Sequence, residues 1–230
     1  MRDFRRSSHQ VVAQVLQALD GGLLLSAECY FGGGTQLALT YGEYRESRDI
    51  DFLCSSRAGF RQLRECVTQD SLGPIVRQPL QLAREVRADR EGIRTYFAIG
   101  DTRIKFEILL EGRLDLSGAL DRKLGVPVLS IDDAIAEKFL ANTDRGLDES
   151  TLGRDLIDLA FLAASLGTKA LRRGLESAEQ VYGAAVRRYL DLSLKAFQKN
   201  RSRSAAWLES LRISDAATLR KGLRTLRTLV

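Results

Sequence analysis

The chain has 230 residues, 44% of them hydrophobic and 28% charged, which excludes a disordered or collagen-like polymer and allows a core of one large domain or two small ones. The single histidine, His9, excludes most Ser-His-Asp, Cys-His and histidine-rich metal chemistry, and three cysteines without metal-type spacing (Cys29, Cys54, Cys66) read as reduced thiols. A net charge of +5 points to an acidic partner, nucleic acid first, with a merely solvated arginine surface as the alternative.

No apolar run approaches the roughly 18 residues of a membrane span. The opening MRDFRRSSHQ carries basic residues with no apolar stretch behind them. A cytoplasmic protein without membrane segment or signal peptide is therefore expected. From there the pattern predicts a helix over Ser8–Leu19, a short apolar strand over Ala27–Phe31 and the glycines Gly32, Gly33 and Gly34. A helix start follows at Thr35, then a strand over Asp49–Cys54 and a helix over Phe60–Thr68. Gly92–Ile99 and Thr102–Leu110 read as a hairpin turning at Gly100-Asp101. After Pro127 helical patterns follow one another: one opened by Ser130, one over Arg154–Leu166, two more from about Ser177 to Lys199. A last one carries Leu219, Leu223, Leu226 and Val230 on one face. The expected fold class is α+β: a sheet domain over 1–125, then an all-helical domain over 126–230.

The stretch that carries chemistry is YFGGGTQLALTYGEYRESRDIDFLC, Tyr30 to Cys54. Gly33, Gly34 and Thr35 lie between strand and helix, where backbone N–H groups and a helix N-terminus can hold an anion. On their own, a tight turn needing positive φ explains them better. Asp49 and Asp51 alternate with Ile50 and Phe52, so both carboxylates fall on one strand face. Like charges that close call for a cation, and Mg²⁺ takes carboxylate and phosphate oxygens together. A two-metal arrangement needs a third acid. Glu107, mid-strand between apolar neighbours, is the candidate, against a solvated Lys105–Glu107 face.

In this combination GGT followed by R-x-S-x-D-I-D-F resembles the nucleotidyltransferases of the DNA polymerase β superfamily. Glu137-Lys138-Phe139-Leu140-Ala141 and Arg154-Asp155-Leu156-Ile157-Asp158-Leu159 narrow the resemblance to the AbiEii/AbiGii-type toxin family. It covers roughly Phe31 to Leu162. It implies a polymerase β-like sheet domain in which Gly33, Gly34 and Thr35 cradle a nucleoside triphosphate and Asp49 and Asp51 hold Mg²⁺, with two ions expected. It also implies that Lys138 contacts phosphates and that Asp155 completes the nucleotide site. A cognate antitoxin is implied as partner.

Lys138 falls on an otherwise apolar stripe with Ile131, Ala134 and Ile135, which suits a lysine meeting an anion, or one snorkelling at a core edge. Asp155 and Asp158 share a helix face, and Arg154 can reach Asp158 at i, i+4, making Asp158 the more structural of the two. Arg45 and Ser47 flank the acids and could steady the triphosphate. The basic residues from Lys195 to Arg227 outnumber Glu209 and Asp215, which suits an RNA acceptor such as tRNA. A small-molecule acceptor and a non-catalytic nucleotide- or RNA-binding module are the alternatives.

Overall fold

The computed structural model describes residues 4–230. The chain divides into two compact units. One comprises residues 4–39 and 47–130, the other Thr40–Glu46 and Ile131–Val230.

The first unit is a seven-stranded mixed sheet with helices. In chain order it holds α1 (Ser7–Gln17), α2 (Gly21–Ser26), β1 (Cys29–Gly32), most of α3 (Gly33–Thr40), β2 (Ile50–Cys54) and α4 (Arg57–Glu65). β3 (Gln81–Ala88), β4 (Gly92–Ile99), β5 (Thr102–Leu110), β6 (Gly118–Asp121) and β7 (Val126–Leu129) complete it. The strand order is β3-β4-β5-β2-β1-β7-β6. β2 runs parallel to β5 and antiparallel to β1, and β1 runs parallel to β7.

Alternation on β2 does what the sequence suggests. Ile50, Phe52 and Cys54 are fully buried, whereas Asp51 and Leu53 are half-buried on the opposite face. β5 repeats the pattern, with Ile104, Phe106 and Ile108 inside. Phe52 and Phe106 pack with ring centroids 6.0 Å apart, and Phe97 and Phe106 at 5.3 Å, both tilted. Val12, Val15 and Leu16 of α1 and Phe60 and Leu63 of α4 belong to the same core.

Three strands and one helix of this unit escape the sequence pattern, as does α8 (Arg201–Ser210) of the other. β3 is an edge strand, mostly exposed, whose register shifts between Leu82 and Arg84 and again between Arg84 and Arg87, so it shows no clean period of two. β6, β7 and α2 are only four to six residues long. Because β7 pairs with β1 and β6, the sheet extends through Leu129 and the helical run begins with α5 (Ile131–Arg145).

The second unit continues with α6 (Arg154–Tyr182), α7 (Ala185–Lys199), α8 (Arg201–Ser210) and α9 (Ala216–Leu226). The expected helix over Arg154–Leu166 ends at a real break, since Gly167 has φ 75° and ψ 178°. Helix then resumes and runs to Tyr182, well before the expected restart near Ser177. Leu219, Leu223 and Leu226 are buried as expected, but Val230 lies past the helix and is exposed. α9 approaches α6 so closely that a Cβ on Gly222 would sit 1.7 Å from the carbonyl oxygen of Ala160. Gly222→Ala should therefore force the helices apart and cost about 1–3 kcal/mol, an overpacking penalty read by urea denaturation. An unchanged midpoint would show that the contact is soft.

Candidate active site

In the sheet unit the glycine turn meets Asp51, while Asp49 lies just ahead of β2. β1 ends at Gly32, and Gly33 starts α3 with φ 71°, a conformation glycine adopts without strain. A Cβ on Gly33 would lie 2.9 Å from Asp51 Oδ2, so a side chain there would crowd the carboxylate. The backbone at Gly33 thus comes directly against Asp51. Thr35 is buried, and its hydroxyl lies 2.8 Å from the Ser47 hydroxyl. The Ser47 N–H donates to His9 Nε2 at 3.4 Å, and His9 is fully buried. His9, unremarkable in the sequence, therefore helps to hold the segment leading into Asp49 and Asp51.

The register across the sheet lines up one row of residues. Arg94 on β4 pairs with Glu107 on β5, Glu107 with Asp51 on β2, and Asp51 with Gly32 on β1. Partners in register present side chains to the same face. Glu107, expected as a metal ligand, has both oxygens engaged by bases. Oε2 accepts from Lys105 Nζ at 2.6 Å, and Oε1 lies 3.5 Å from Arg94 Nε. Burial lowers the Lys105 pKa, but the hydrogen bond and charge of Glu107, with the charges of Asp51 and Asp49, outweigh it and raise it. Among the described residues no three His, Cys, Asp or Glu side chains gather as a ready-made metal cage.

The helical unit brings together Arg45, Lys138, Asp155 and Asp158. Lys138 Nζ lies 2.8 Å from Asp155 Oδ1 and 2.8 Å from Asp158 Oδ2. Arg45 grips Asp158 with a fork, Nε to Oδ1 at 2.7 Å and Nη2 to Oδ2 at 3.0 Å. Tyr44 donates its hydroxyl to Asp158 Oδ1 at 2.7 Å and stacks on Phe161 with centroids 4.3 Å apart. Arg145 donates to Asp155 through Nε at 2.8 Å and Nη2 at 3.2 Å. Asp158 is thus answered by Arg45, Lys138 and Tyr44, not by Arg154 as local spacing suggested. Tyr44 is a member that the sequence reading did not single out.

Burial alone would raise both carboxylates, yet Lys138 and Arg145 hold Asp155, and Arg45 and Lys138 hold Asp158, below the usual range. Reciprocally, desolvation of Lys138 and Arg45 is outweighed by the aspartates, so both bases titrate higher than usual. Burial, with the neighbouring Asp158 charge, pushes the Tyr44 hydroxyl up. Lys138, Arg45 and Arg145 thus all turn onto the two carboxylates, and the Arg145 charge acts on Asp148 as well.

Residues 17–226 match the family described as "Nucleotidyl transferase AbiEii toxin, Type IV TA system". The chain belongs to the AbiEii nucleotidyltransferase toxin family. No curated protein matches it. A crystal structure from Helicobacter pylori assigned as a nucleotidyltransferase shares the fold at a TM-score of 0.57, with 18% identity over 96% of this chain and 92% of that one. The MenT4 nucleotidyltransferase toxin Rv2826c from Mycobacterium tuberculosis aligns at 0.47, with 16% identity over 97% and 93%. This AbiEii chain is accordingly a nucleotidyltransferase of the toxin class, a class that implies a nucleotide substrate and an antitoxin partner. Among the described residues no helix is long and apolar enough to cross a membrane.

The buried cluster yields a stability prediction. A depressed carboxylate pKa adds stability that is present above the unfolded value of about 4 and is lost as pH falls through the folded value. Wild type should therefore lose melting temperature steeply below about pH 4. Asp158→Asn should be less stable at pH 7 by about 3–5 kcal/mol, the cost of leaving buried partners unmatched, with a flatter acid limb. A variant with the wild-type acid profile would show that the cluster contributes nothing to folding.

Proposed function

We propose that the protein transfers a nucleoside monophosphate from a nucleoside triphosphate to an acceptor hydroxyl, with Mg²⁺ held by Asp49 and Asp51. The observation that carries this reading is the approach of Gly33 to Asp51 Oδ2, where an added Cβ would fall within 2.9 Å. A turn with N–H groups suited to phosphate lies against a carboxylate. Two anions can share that corner only with a cation between them. The donor set, carboxylate oxygens beside phosphate oxygens, suits Mg²⁺. When bound, the ion supplies neutralisation of the triphosphate and activation of the acceptor hydroxyl.

The chain's own residues do the rest. Gly33 and Gly34 offer N–H donors and room for phosphate oxygens, and the Thr35 hydroxyl, steadied by Ser47, adds a further donor. The acceptor oxygen bonds to the α-phosphorus, the α–β bridge breaks, pyrophosphate departs, and the hydroxyl proton passes to water. In the helical unit, Lys138 uses two of its three N–H donors on Asp155 and Asp158. The third is the one for a phosphate oxygen. Asp155 and Asp158 then act by holding Lys138 charged and aimed, with Arg45 fixing Asp158.

Incubation with α-labelled nucleotides, Mg²⁺ and total tRNA should label RNA. Asp51→Asn should lower the rate at least a thousandfold, the order expected when a transition-state electrostatic group is lost, with the melting temperature unchanged or raised. Full activity in Asp51→Asn would end the metal assignment. Labelling of a small molecule in place of RNA would favour the small-molecule reading.

The RNA acceptor rests on the exposed bases of the C-terminal helices. Lys199, Arg201, Arg220 and Arg224 are exposed. Arg203 is not available in the same way. It pairs with Glu149, donates to the Ala196 carbonyl and stacks over Trp207 at 5.0 Å. Lys199→Glu with Arg201→Glu should raise KM for tRNA and flatten its dependence on salt, because each lost phosphate contact removes about one counterion from the slope. An unaltered salt slope would place the RNA path elsewhere.

A further inference from the structure

The Asp49–Asp51 assignment leaves Glu107 to be explained. A third carboxylate one strand away would serve a second divalent ion only if its oxygens were open to it. Both are engaged. Lys105 Nζ donates to Oε2 at 2.6 Å, and Arg94 Nε lies 3.5 Å from Oε1. The Glu107 side chain is 13% exposed, so this pairing is shielded from water on most sides. Lys105 stands on β5 two residues before Glu107, and its register partner across β4 is Tyr96. Asp51 faces Glu107, so Lys105, two residues before Glu107, lies on the same sheet face one step along from that pair. The charges of Asp51 and Asp49 both act on its ammonium group.

We propose that Lys105 is the resident counter-ion of this carboxylate row and takes the place of a second divalent cation, so that the protein binds one metal ion rather than two. The inference rests on Asp49 and Asp51 being the ligands of the first. A fixed ammonium does part of what a second metal would do: it holds Glu107 oriented and lowers the negative potential at Asp49 and Asp51. It also repels the first ion and weakens it relative to a site without the lysine. Lys105 is thus a positioning residue that sets metal affinity.

Mn²⁺ titrated into the full chain, with free Mn²⁺ read by electron paramagnetic resonance, tests this without reference to activity. Wild type should bind one Mn²⁺. Lys105→Met, and Lys105→Gln as a second variant, should bind it at least about tenfold tighter, since a neighbouring charge shifts such equilibria by about one to three powers of ten. Lys105 is 37% exposed, so both variants should fold, which melting curves check. Two Mn²⁺ bound to wild type, or unchanged or weaker affinity in folded variants, would overturn the proposal. Asp51→Asn separates the two layers. If it retains wild-type Mn²⁺ binding, the metal reading itself fails. If it loses Mn²⁺ while the Lys105 variants match wild type, only the counter-ion inference fails.

Discussion

Carboxylates held away from water must be answered by cations, and this requirement organises both units of the protein. In the helical unit Asp155 and Asp158 are almost wholly buried, which is tolerable only because Lys138, Arg45 and Arg145 supply charge and hydrogen bonds together. In the sheet unit Glu107 is answered by Lys105 and Arg94. The two solutions differ in a useful way. The helical cluster aims Lys138 and Arg45 at fully buried carboxylates. The sheet row keeps Asp51 beside the glycine turn.

The same requirement explains an odd detail of the chain's path. Thr40–Glu46 groups with the helices although it lies between α3 and β2 of the sheet unit. Tyr44 and Arg45 are spent on Asp158, the Glu46 N–H donates to the Leu211 carbonyl at 2.9 Å, and Glu46 pairs with Arg212 at 2.8 Å. The next residue, Ser47, belongs to the sheet unit and bonds Thr35 and His9. The stretch just before the two aspartates is thereby fixed residue by residue, as a precise binding site needs.

What the sequence could say was what is local. The strand–glycine–helix passage at Gly33, the alternation that buries Ile50 and Phe52, and the β4–β5 hairpin all follow from spacing and turn chemistry. The family motifs were legible for the same reason. Pairings across long separations were not. Arg45 and Asp158 are 113 residues apart, and the local i, i+4 rule pointed to Arg154 instead. A forked guanidinium reaching across the fold outcompetes that surface pair because it is buried and bidentate. Glu107 looked like an open ligand because nothing in its own strand shows that Arg94 stands opposite. The helical residues over 126–130 were misassigned by composition, since Pro127 hides a strand that only its pairing with β1 and β6 reveals.

The central claim is that Asp49, Asp51 and the Gly33 turn share one metal–phosphate corner. The most direct measurement is a crystal structure with Mn²⁺ and a non-hydrolysable triphosphate, read by the manganese anomalous signal. The account predicts one strong peak about 2.1 Å from carboxylate oxygens of Asp49 and Asp51, with phosphate oxygens on the N–H groups of Gly33 and Gly34. A triphosphate bound elsewhere, with no anomalous peak at the two aspartates, would contradict it.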